Sequence, residues 1–304
     1  MSDAEALKAR PKILLVTDLS SRSDRALDRA TFLAKQWDAE LVVFHVLQPD
    51  RVSAMDARAL DAPSWRRPPD AAVAAEKRIR RDLRAEGVDL RIIIGEGETV
   101  TAVLSVVEQE ACDLIVLGPA RDETLGHILL GNTVDHLVRR SPVSVLVVKS
   151  RANGPYRHIV VGTDFTDESR HGLQIAVRAF PEAIFTLLHA FELPYRTLAP
   201  DTKLGREFNS EEAAAMRTFL EEAGLAPEAK TRVHPIIEYG PPEQMFRNYV
   251  EERSADLIVI GAFGRGLMFH LLIGGNAPRI VDATPSDVLV VRAPKLVPKG
   301  QGDS

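Results

Sequence analysis

The stretch DLIVLGPARDETLGHILLGN, from Asp113 to Asn132, returns 143 positions later as DLIVIGAFGRGLMFHLLIGG, from Asp256 to Gly275. In each copy a short apolar segment is followed by a glycine, a loop and a second glycine at which a helix can begin. Each half of the 304-residue chain has the size of an ordinary domain. The repeat therefore predicts one structural unit written twice.

Apolar segments alternate with helical patterns throughout, in the same order in each copy. The predicted strands are 12–18, 41–47, 89–94, 114–117 and 143–148 in copy one, and 158–164, 184–190, 231–238, 257–260 and 288–291 in copy two. Alternating strands and helices form right-handed βαβ units around a parallel sheet. We therefore expect an α/β fold of two tandem doubly wound domains, each a five-stranded parallel sheet with helices on both faces, similar to a Rossmann domain.

The repeat also predicts domain boundaries. Domain 1 covers residues 11–149 and domain 2 covers 156–293, and the Asn-Gly-Pro sequence within Lys149–Pro155 is typical of a linker. A variable loop is expected in copy two up to about Asn209, before a helix over 211–223.

Charge and composition exclude several classes of protein. The net charge is −5, whereas a nucleic-acid-binding domain usually carries a basic excess, so we expect no nucleic-acid partner. No apolar run approaches the ~18 residues of a membrane span, and the first residues lack the apolar core of a secretion signal. The single cysteine, Cys112, precedes an apolar strand and is interpreted as a core thiol of a reduced, cytoplasmic protein.

One dense basic run, from Lys77 to Arg84, could form a patch that binds an anion or a membrane surface. It is better interpreted as the solvated face of a helix that buries Val73, Ile79 and Leu83, because the matching helix of copy two is acidic.

The glycine loop of copy two could hold a phosphate group. Gly261 follows a strand, where the absence of a Cβ atom lets a ligand approach the backbone, and Gly264 and Arg265 follow it. A helix that begins at Gly274 would offer free N–H groups and a positive dipole end to an anion. The glycines could equally serve only to allow tight turns, and their spacing alone leaves both interpretations open.

In combination with other landmarks, the loop resembles that of the universal stress protein family. The family's nucleotide signature is glycine, two residues, glycine, nine residues, glycine and then Ser or Thr. The first strands end in Thr-Asp at Asp18 and Asp164, the second strands end in FHV at Val46 and LHA at Ala190, and the last strands read PVSVLVV and PSDVLVV. The resemblance covers roughly residues 11–149 and 156–293.

The two copies match this signature unequally. Copy two keeps all three glycines but has Gly275, followed by Asn276, where the hydroxyl residue belongs. Copy one keeps the outer glycines, has Arg121 in place of the middle one, and has Asn132 at the hydroxyl position. In binding members the missing hydroxyl helps to hold the phosphates.

The resemblance implies which residues contact an adenine nucleotide such as ATP, to which Mg²⁺ can be bound. In copy two they are Asp164, Ala190, Gly261, Gly264, Arg265, Gly274, Gly275 and Asn276; in a degenerate copy one they are Asp18, Val46, Gly118, Gly131, Asn132 and Thr133. The aspartates would contact the adenine. The family also implies that the last strands pair across the two domains as a pseudo-dimer, and that the whole chain forms a homodimer.

The expected function is a cytoplasmic stress-response sensor or regulator that binds ATP mainly in copy two. The alternative is a nucleotide-independent ligand-binding or scaffold protein that acts through dimerisation. A third hypothesis is an enzyme that hydrolyses ATP slowly. No zinc spacing, nucleophile elbow or Walker A motif is present. His127 and His270 could contact a phosphate but are better interpreted as solvent-facing or interface residues. His45 and His189 are interpreted as partly buried, hydrogen-bonded residues at strand ends.

Overall fold

A computed structural model describes residues 10–20, 23–47, 70–83, 87–119, 123–124, 127–128, 131–191, 203–262 and 276–292. The described residues of the first half form the strands β1 (Lys12–Val16), β2 (Glu40–Leu47), β3 (Leu90–Glu96), β4 (Leu114–Leu117), β5 (Glu123–Thr124), β6 (His127–Ile128) and β7 (Ser144–Val147). Its helices are α1 (Asp24–Gln36), α2 (Ala71–Asp82), α3 (Thr99–Glu110) and α4 (Asn132–Arg140).

The second half repeats this order without a described equivalent of the short β5–β6 hairpin. Its strands are β8 (His158–Gly162), β9 (Ile184–Phe191), β10 (Val233–Tyr239), β11 (Leu257–Ala262) and β12 (Asp287–Arg292). Its helices are α5 (Asp167–Ala179), α6 (Lys203–Glu222), the single turn α7 (Pro227–Lys230), α8 (Pro242–Arg253) and α9 (Asn276–Ala283).

Local chemistry accounts for several helix ends. The carboxylate of Glu98 accepts hydrogen bonds from the backbone N–H groups of Val100 and Thr101, and so caps α3. Thr166 caps α5 in the same way through Ser169 N–H. Pro242 lies in the first turn of α8, where its missing N–H has no helical partner to lose.

The ten main strands form one continuous sheet in the order β10-β9-β8-β11-β12-β7-β4-β1-β2-β3. Strands pair in parallel within each half, and the only antiparallel pair among the described strands of this sheet joins β7 to β12. Leu146 pairs with Leu289 at the centre of that seam. The α/β prediction with two five-stranded parallel sheets is therefore confirmed, and the expected cross-domain pairing of the last strands joins them into one.

Each face of the sheet carries its own apolar cluster. One cluster unites the sheet with α1, α2, α5 and α6, and includes Leu33, Leu173 and Phe219. The other unites it with α3, α4, α8 and α9, and includes Val103, Leu137 and Phe246. Strands covered on both sides have unbroken apolar sequences, such as LIVL in β4, because neither face of the strand meets water.

Four sequence-based expectations are corrected by the structure. The helix expected over 211–223 begins earlier, at Lys203, so the loop expected to end near Asn209 is shorter. Val73 is 44% exposed, and α2 buries Ala75 with Ile79 instead. Lys149, assigned to the linker, is 2% exposed and contacts the second half. Strand β11 extends to Ala262, so Gly261 lies within the strand and not after it. Among the described residues, no helix has the length and apolar character of a membrane span.

Candidate functional site

A cleft of about 430 Å³ opens at the carboxyl ends of β8, β9 and β11 in the second half. Three residues that the sequence predicted to share a site line it together: Asp164, Ala190 and Gly261. The remaining lining residues are Gly162, Thr163, Thr166, Glu168, Ser169, Pro242, Phe246, Ile260 and Ile280. This location beyond the strand ends is where doubly wound folds bind ligands.

Asp164 supplies a partly buried carboxylate at the mouth of this cleft. Its Oδ1 atom accepts hydrogen bonds from Thr166 Oγ1 at 2.6 Å and from Thr166 N at 3.3 Å. Within the described part of the chain, all hydrogen bonds to this carboxylate end on Oδ1. Oδ2 therefore remains an acceptor for a donor on a ligand, such as an exocyclic amine.

The wall of the cleft is apolar, and sequence reasoning missed it. Phe246 and Ile280 project from α8 and α9 between the sheet and the opening. A Cβ atom at Gly162 would lie 2.8 Å from Phe246 Cζ, so the glycine of β8 makes room for that ring. The sequence offered a signal for this space: copy two reads VGTD, whereas copy one reads LVTD, with a valine at the position of the glycine.

Gly261 has a packing role that the sequence had left open. A Cβ atom at this position would lie 2.9 Å from Glu168 O and 3.2 Å from Ser169 N, both in the first turn of α5. Gly172 in the same helix faces the Gly261 backbone. The glycine therefore allows β11 and α5 to approach closely, whether or not a ligand is bound.

The phosphate side of the predicted site lies mostly outside the described residues. This applies to Gly264, Arg265, Gly274 and Gly275, and also to His270 and Arg121. The described helix α9 begins at Asn276, two residues after the predicted start at Gly274.

The predicted site residues of the first half occupy different surroundings. Asp18 Oδ1 accepts hydrogen bonds from Ser23 Oγ at 2.7 Å and from Ser20 N at 2.9 Å. Partial desolvation raises the pKa of Asp18, but these hydrogen bonds outweigh it and leave the pKa below its ordinary value. Val46 is buried in the apolar cluster between the sheet and helices α3 and α4, and Gly118 is partly buried after β4.

Gly131, Asn132 and Thr133 form the start of helix α4. Gly131 is the N-cap residue and provides no side-chain hydrogen bond, Asn132 is exposed and Thr133 is partly buried. A cleft of about 290 Å³ near Asp18 is lined by Ser20, Leu27, Ile79 and Asp82 among others, and by none of the predicted first-half site residues. It lies on the α1 and α2 face, so it does not correspond to the cleft of the second half.

The strand-end histidines are structural, as predicted. The Nδ1 atoms of His45 and His189 lie 2.8 Å from the carbonyl oxygens of Thr17 and Thr163. His189 also stacks on Phe165, with ring centroids 4.3 Å apart, and its Nε2 lies 3.2 Å from Glu212 Oε2. The side chain of His127 lies outside the described residues. Where side chains are described, no group of three or more metal-ligating residues occurs.

Comparison with known proteins points to one family for both halves. A family model described as "Universal stress protein family" matches residues 10–149 and again 155–292. A universal stress protein of Mycolicibacterium smegmatis is 23% identical over 92% of this chain and 96% of its own length. Another, from Methanocaldococcus jannaschii, is 28% identical over 46% of this chain and 84% of its own length.

Solved structures share the complete two-half architecture. The crystal structure of a universal stress protein from Archaeoglobus fulgidus covers 92% of this chain and 98% of its own chain, with a TM-score of 0.64 and 20% identity. At this identity the likeness describes the fold alone.

Proposed function

Because the chain belongs to the universal stress protein family, with two tandem copies of its domain, we propose that it is a cytoplasmic stress-response regulator or sensor. It binds an adenine nucleotide, mainly in the domain that we assign to residues 156–293. The observation that carries this proposal is the cleft in which Asp164, Ala190 and Gly261 come together.

The chemistry of the cleft suits an adenine base. An apolar wall of Phe246, Ile260 and Ile280 can pack against a planar ring. Asp164 Oδ2, which accepts no hydrogen bond from the described residues, can accept one from the exocyclic amine of adenine, and the small side chain of Ala190 leaves the strand end open.

The phosphates would extend towards the start of α9. In its first turn the backbone N–H groups of Asn276 and Ala277 are suited to an anion, whereas Pro278 has no N–H to offer. Gly264, Arg265, Gly274 and Gly275 are proposed to line this side, and a Mg²⁺ ion could accompany the nucleotide. The absent Ser or Thr hydroxyl weakens the site by ~1.5–3 kcal/mol, about tenfold or more in affinity.

The first half is proposed to bind the nucleotide weakly or not at all. Asp18 is held by Ser20 and Ser23, and Arg121 replaces the middle glycine of the signature. A contribution from Val46, Gly118, Gly131, Asn132 and Thr133 is therefore secondary.

Calorimetric titration with ATP and Mg²⁺ tests the proposal. We expect the wild type to bind through one dominant site, Ala190→Phe to abolish binding by filling the cleft, and Asp164→Ala to weaken it. Asp18→Ala, the matched control in the first half, should leave the affinity unchanged. Absence of co-purified nucleotide together with absence of binding at millimolar ATP would sink the proposal, provided that thermal melting shows the protein folded.

The second candidate is a nucleotide-independent binding or scaffold protein. The close approach of Gly261 to Glu168 favours it, because this contact explains the first glycine of the signature without a phosphate. It predicts that Ala190→Phe leaves activity in cells unchanged, whereas disruption of the seam between β7 and β12 does not.

A further inference from the structure

The two outer strands of the sheet come from equivalent places in the two halves. Strand β3 ends the sheet on one side and β10 ends it on the other, and in the described ranges neither has a second neighbour. Val43 pairs with Ile92 in the first half, and Leu187 pairs with Pro235 in the second. Ile92 and Pro235 are therefore equivalent edge positions.

The recorded hydrogen bonds show which backbone groups of β3 point outward. Leu41 N donates to Asp89 O at 2.8 Å. The backbone N–H and C=O groups of successive residues in a strand point to opposite neighbours. Those of Arg91 and Ile93 therefore point towards β2, as Asp89 O does. Leu90, Ile92 and Ile94 therefore direct their N–H and C=O groups away from the sheet.

The same reasoning places Pro235 with its nitrogen outward. Phe185 N donates to Arg232 O at 2.8 Å, and Gly240 N donates to Phe191 O at 3.0 Å, so the even-numbered residues of β10 face β9. Pro235 consequently removes an N–H from the middle of the outer edge of β10 without costing an internal hydrogen bond. That edge cannot form a regular ladder with another strand, whereas the edge of β3 can.

We propose that β3 is a self-association edge, at which this chain pairs antiparallel with β3 of a second copy about a twofold axis at Ile92. In this arrangement Ile92 faces Ile92 of the second copy, and Leu90 faces its Ile94. The outward backbone groups of all three residues gain hydrogen-bond partners, and every one of these cross-strand pairs is apolar.

The charges and the second edge are consistent with a closed dimer. The nearest charge on the strand, Arg91, is already paired, with Arg91 Nη1 2.7 Å from Glu110 Oε2. A twofold contact uses the same edge of both chains, and Pro235 blocks the only other edge of the described sheet. The assembly therefore stops at two copies and does not grow into a fibre. This inference is independent of nucleotide binding.

The oligomeric state of the full chain, measured by size-exclusion chromatography with light scattering across the micromolar range, tests the proposal. We expect the wild type to have twice the 33.4 kDa mass of the chain. Ile92→Pro places in β3 the proline that β10 has at the equivalent position, Pro235. This variant should be monomeric with an unchanged circular dichroism spectrum. The reciprocal variant Pro235→Ile should keep the dimer or enlarge it. A monomeric wild type, a folded Ile92→Pro variant that stays dimeric, or a Pro235→Ile variant that dissociates overturns the proposal.

Hydrogen exchange of the wild type keeps the proposal testable if Ile92→Pro does not fold. Amides in the peptide 89–96 should lose protection when the protein is diluted, while those in the control peptide 232–239 should not change. Equal behaviour of the two peptides overturns the proposal.

Discussion

Lys149 and Arg292 occupy equivalent positions at the ends of β7 and β12, and each caps a helix of the opposite half. Lys149 Nζ donates to the carbonyl oxygens of Val281 and Thr284 at the end of α9. Arg292 Nη2 donates to Val138 O, in the last turn of α4. Val138 and Val281 are themselves equivalent, so the two halves exchange the same interaction around the Leu146–Leu289 pair.

The exchange is not symmetric in its buried charge. Among the described residues, Ser144 Oγ accepts one hydrogen bond, from Arg292 N at 3.2 Å. Its counterpart Asp287 is fully buried and accepts from Lys149 N, Ser150 N and Tyr156 Oη at 2.8, 2.8 and 2.6 Å. The Nε atom of buried Arg29 lies 3.6 Å from Asp287 Oδ2. The second half thus carries an ionic cluster where the first has a hydroxyl.

Asp287→Ser, which copies the residue of the other half, should destabilise the protein by about 3–5 kcal/mol, because it leaves Arg29 buried without a counter-ion. The matched variant Ser144→Ala removes one partly buried hydrogen bond and should cost about 0.5–1.5 kcal/mol. Urea unfolding followed by circular dichroism measures both. Equal losses would show that the cluster does not stabilise the seam.

Stability should also depend on the protonation of Lys149. Burial lowers the pKa of this ammonium group from 10.5 to about 8, against the opposing effects of Asp282 and Asp287. Between these two values the unfolded chain binds more protons than the folded one, so the free energy of unfolding rises with pH, by at most about 1.4 kcal/mol per pH unit.

A comparison of wild type with Lys149→Met between pH 8 and 10 isolates this effect. The difference in unfolding free energy between the two proteins should shift in favour of the wild type as the pH rises. Above pH 9 the opposite trends of Cys112 and then of Tyr156 enter, because burial raises both pKa values, but both groups are present in the two proteins and cancel in the difference. Parallel pH profiles for the two proteins below pH 10 would contradict the expectation.

The seam shows which parts of the fold local sequence patterns could predict. All ten strands of the main sheet were predicted because each is an apolar segment bounded by turn residues. The burial of Lys149 was not, because it depends on carbonyl groups of Val281 and Thr284, more than a hundred residues away. A charged side chain beside Asn-Gly-Pro has the local pattern of an exposed linker, and only tertiary contacts override it.

Gly261→Ala should destabilise the protein by about 1–3 kcal/mol even without nucleotide, since its Cβ would lie 2.9 Å from Glu168 O. Thermal melting in the absence of ligand measures the loss. Ala190→Phe at the cleft mouth is the control, and its melting temperature should change less than that of Gly261→Ala. A glycine with positive φ, such as Gly87 at +77°, is not a suitable control because its backbone conformation disfavours any side chain. If Gly261→Ala melts like the wild type, the glycine is not a packing residue.

The candidate site was predictable only where it depends on the order of the strands. Asp164, Ala190 and Gly261 lie at or next to the carboxyl ends of strands that the repeat aligned, so parallel strand order brought them together. Phe246 and Ile280 come from helices, and their position over the cleft depends on how α8 and α9 pack. A helix pattern identifies the apolar face but not the sheet residue beneath it.

Cys112 should be unreactive in the folded protein. It is 4% exposed, and burial, with a smaller effect of Glu110, raises its pKa to about 11. Since the thiolate is the reacting species, Ellman's reagent at pH 8 should label the native chain far more slowly than the chain in guanidinium. Cys112→Ala provides the blank, and rapid labelling of native protein would contradict the expectation.

Two helix ends should be open to stabilisation at equivalent positions. Ala111 and Ser254 end α3 and α8 with φ of 52°, a left-handed conformation that costs an L-residue about 1 kcal/mol and glycine little. Both residues are exposed, so little packing is lost on substitution. Ala111→Gly and Ser254→Gly should each raise the free energy of unfolding by about 0.5–1 kcal/mol, and the double variant by the sum. Urea unfolding measures the three proteins beside Ala111→Val, the control whose branched side chain should lower stability. The expectation fails if glycine and valine at position 111 shift stability in the same direction.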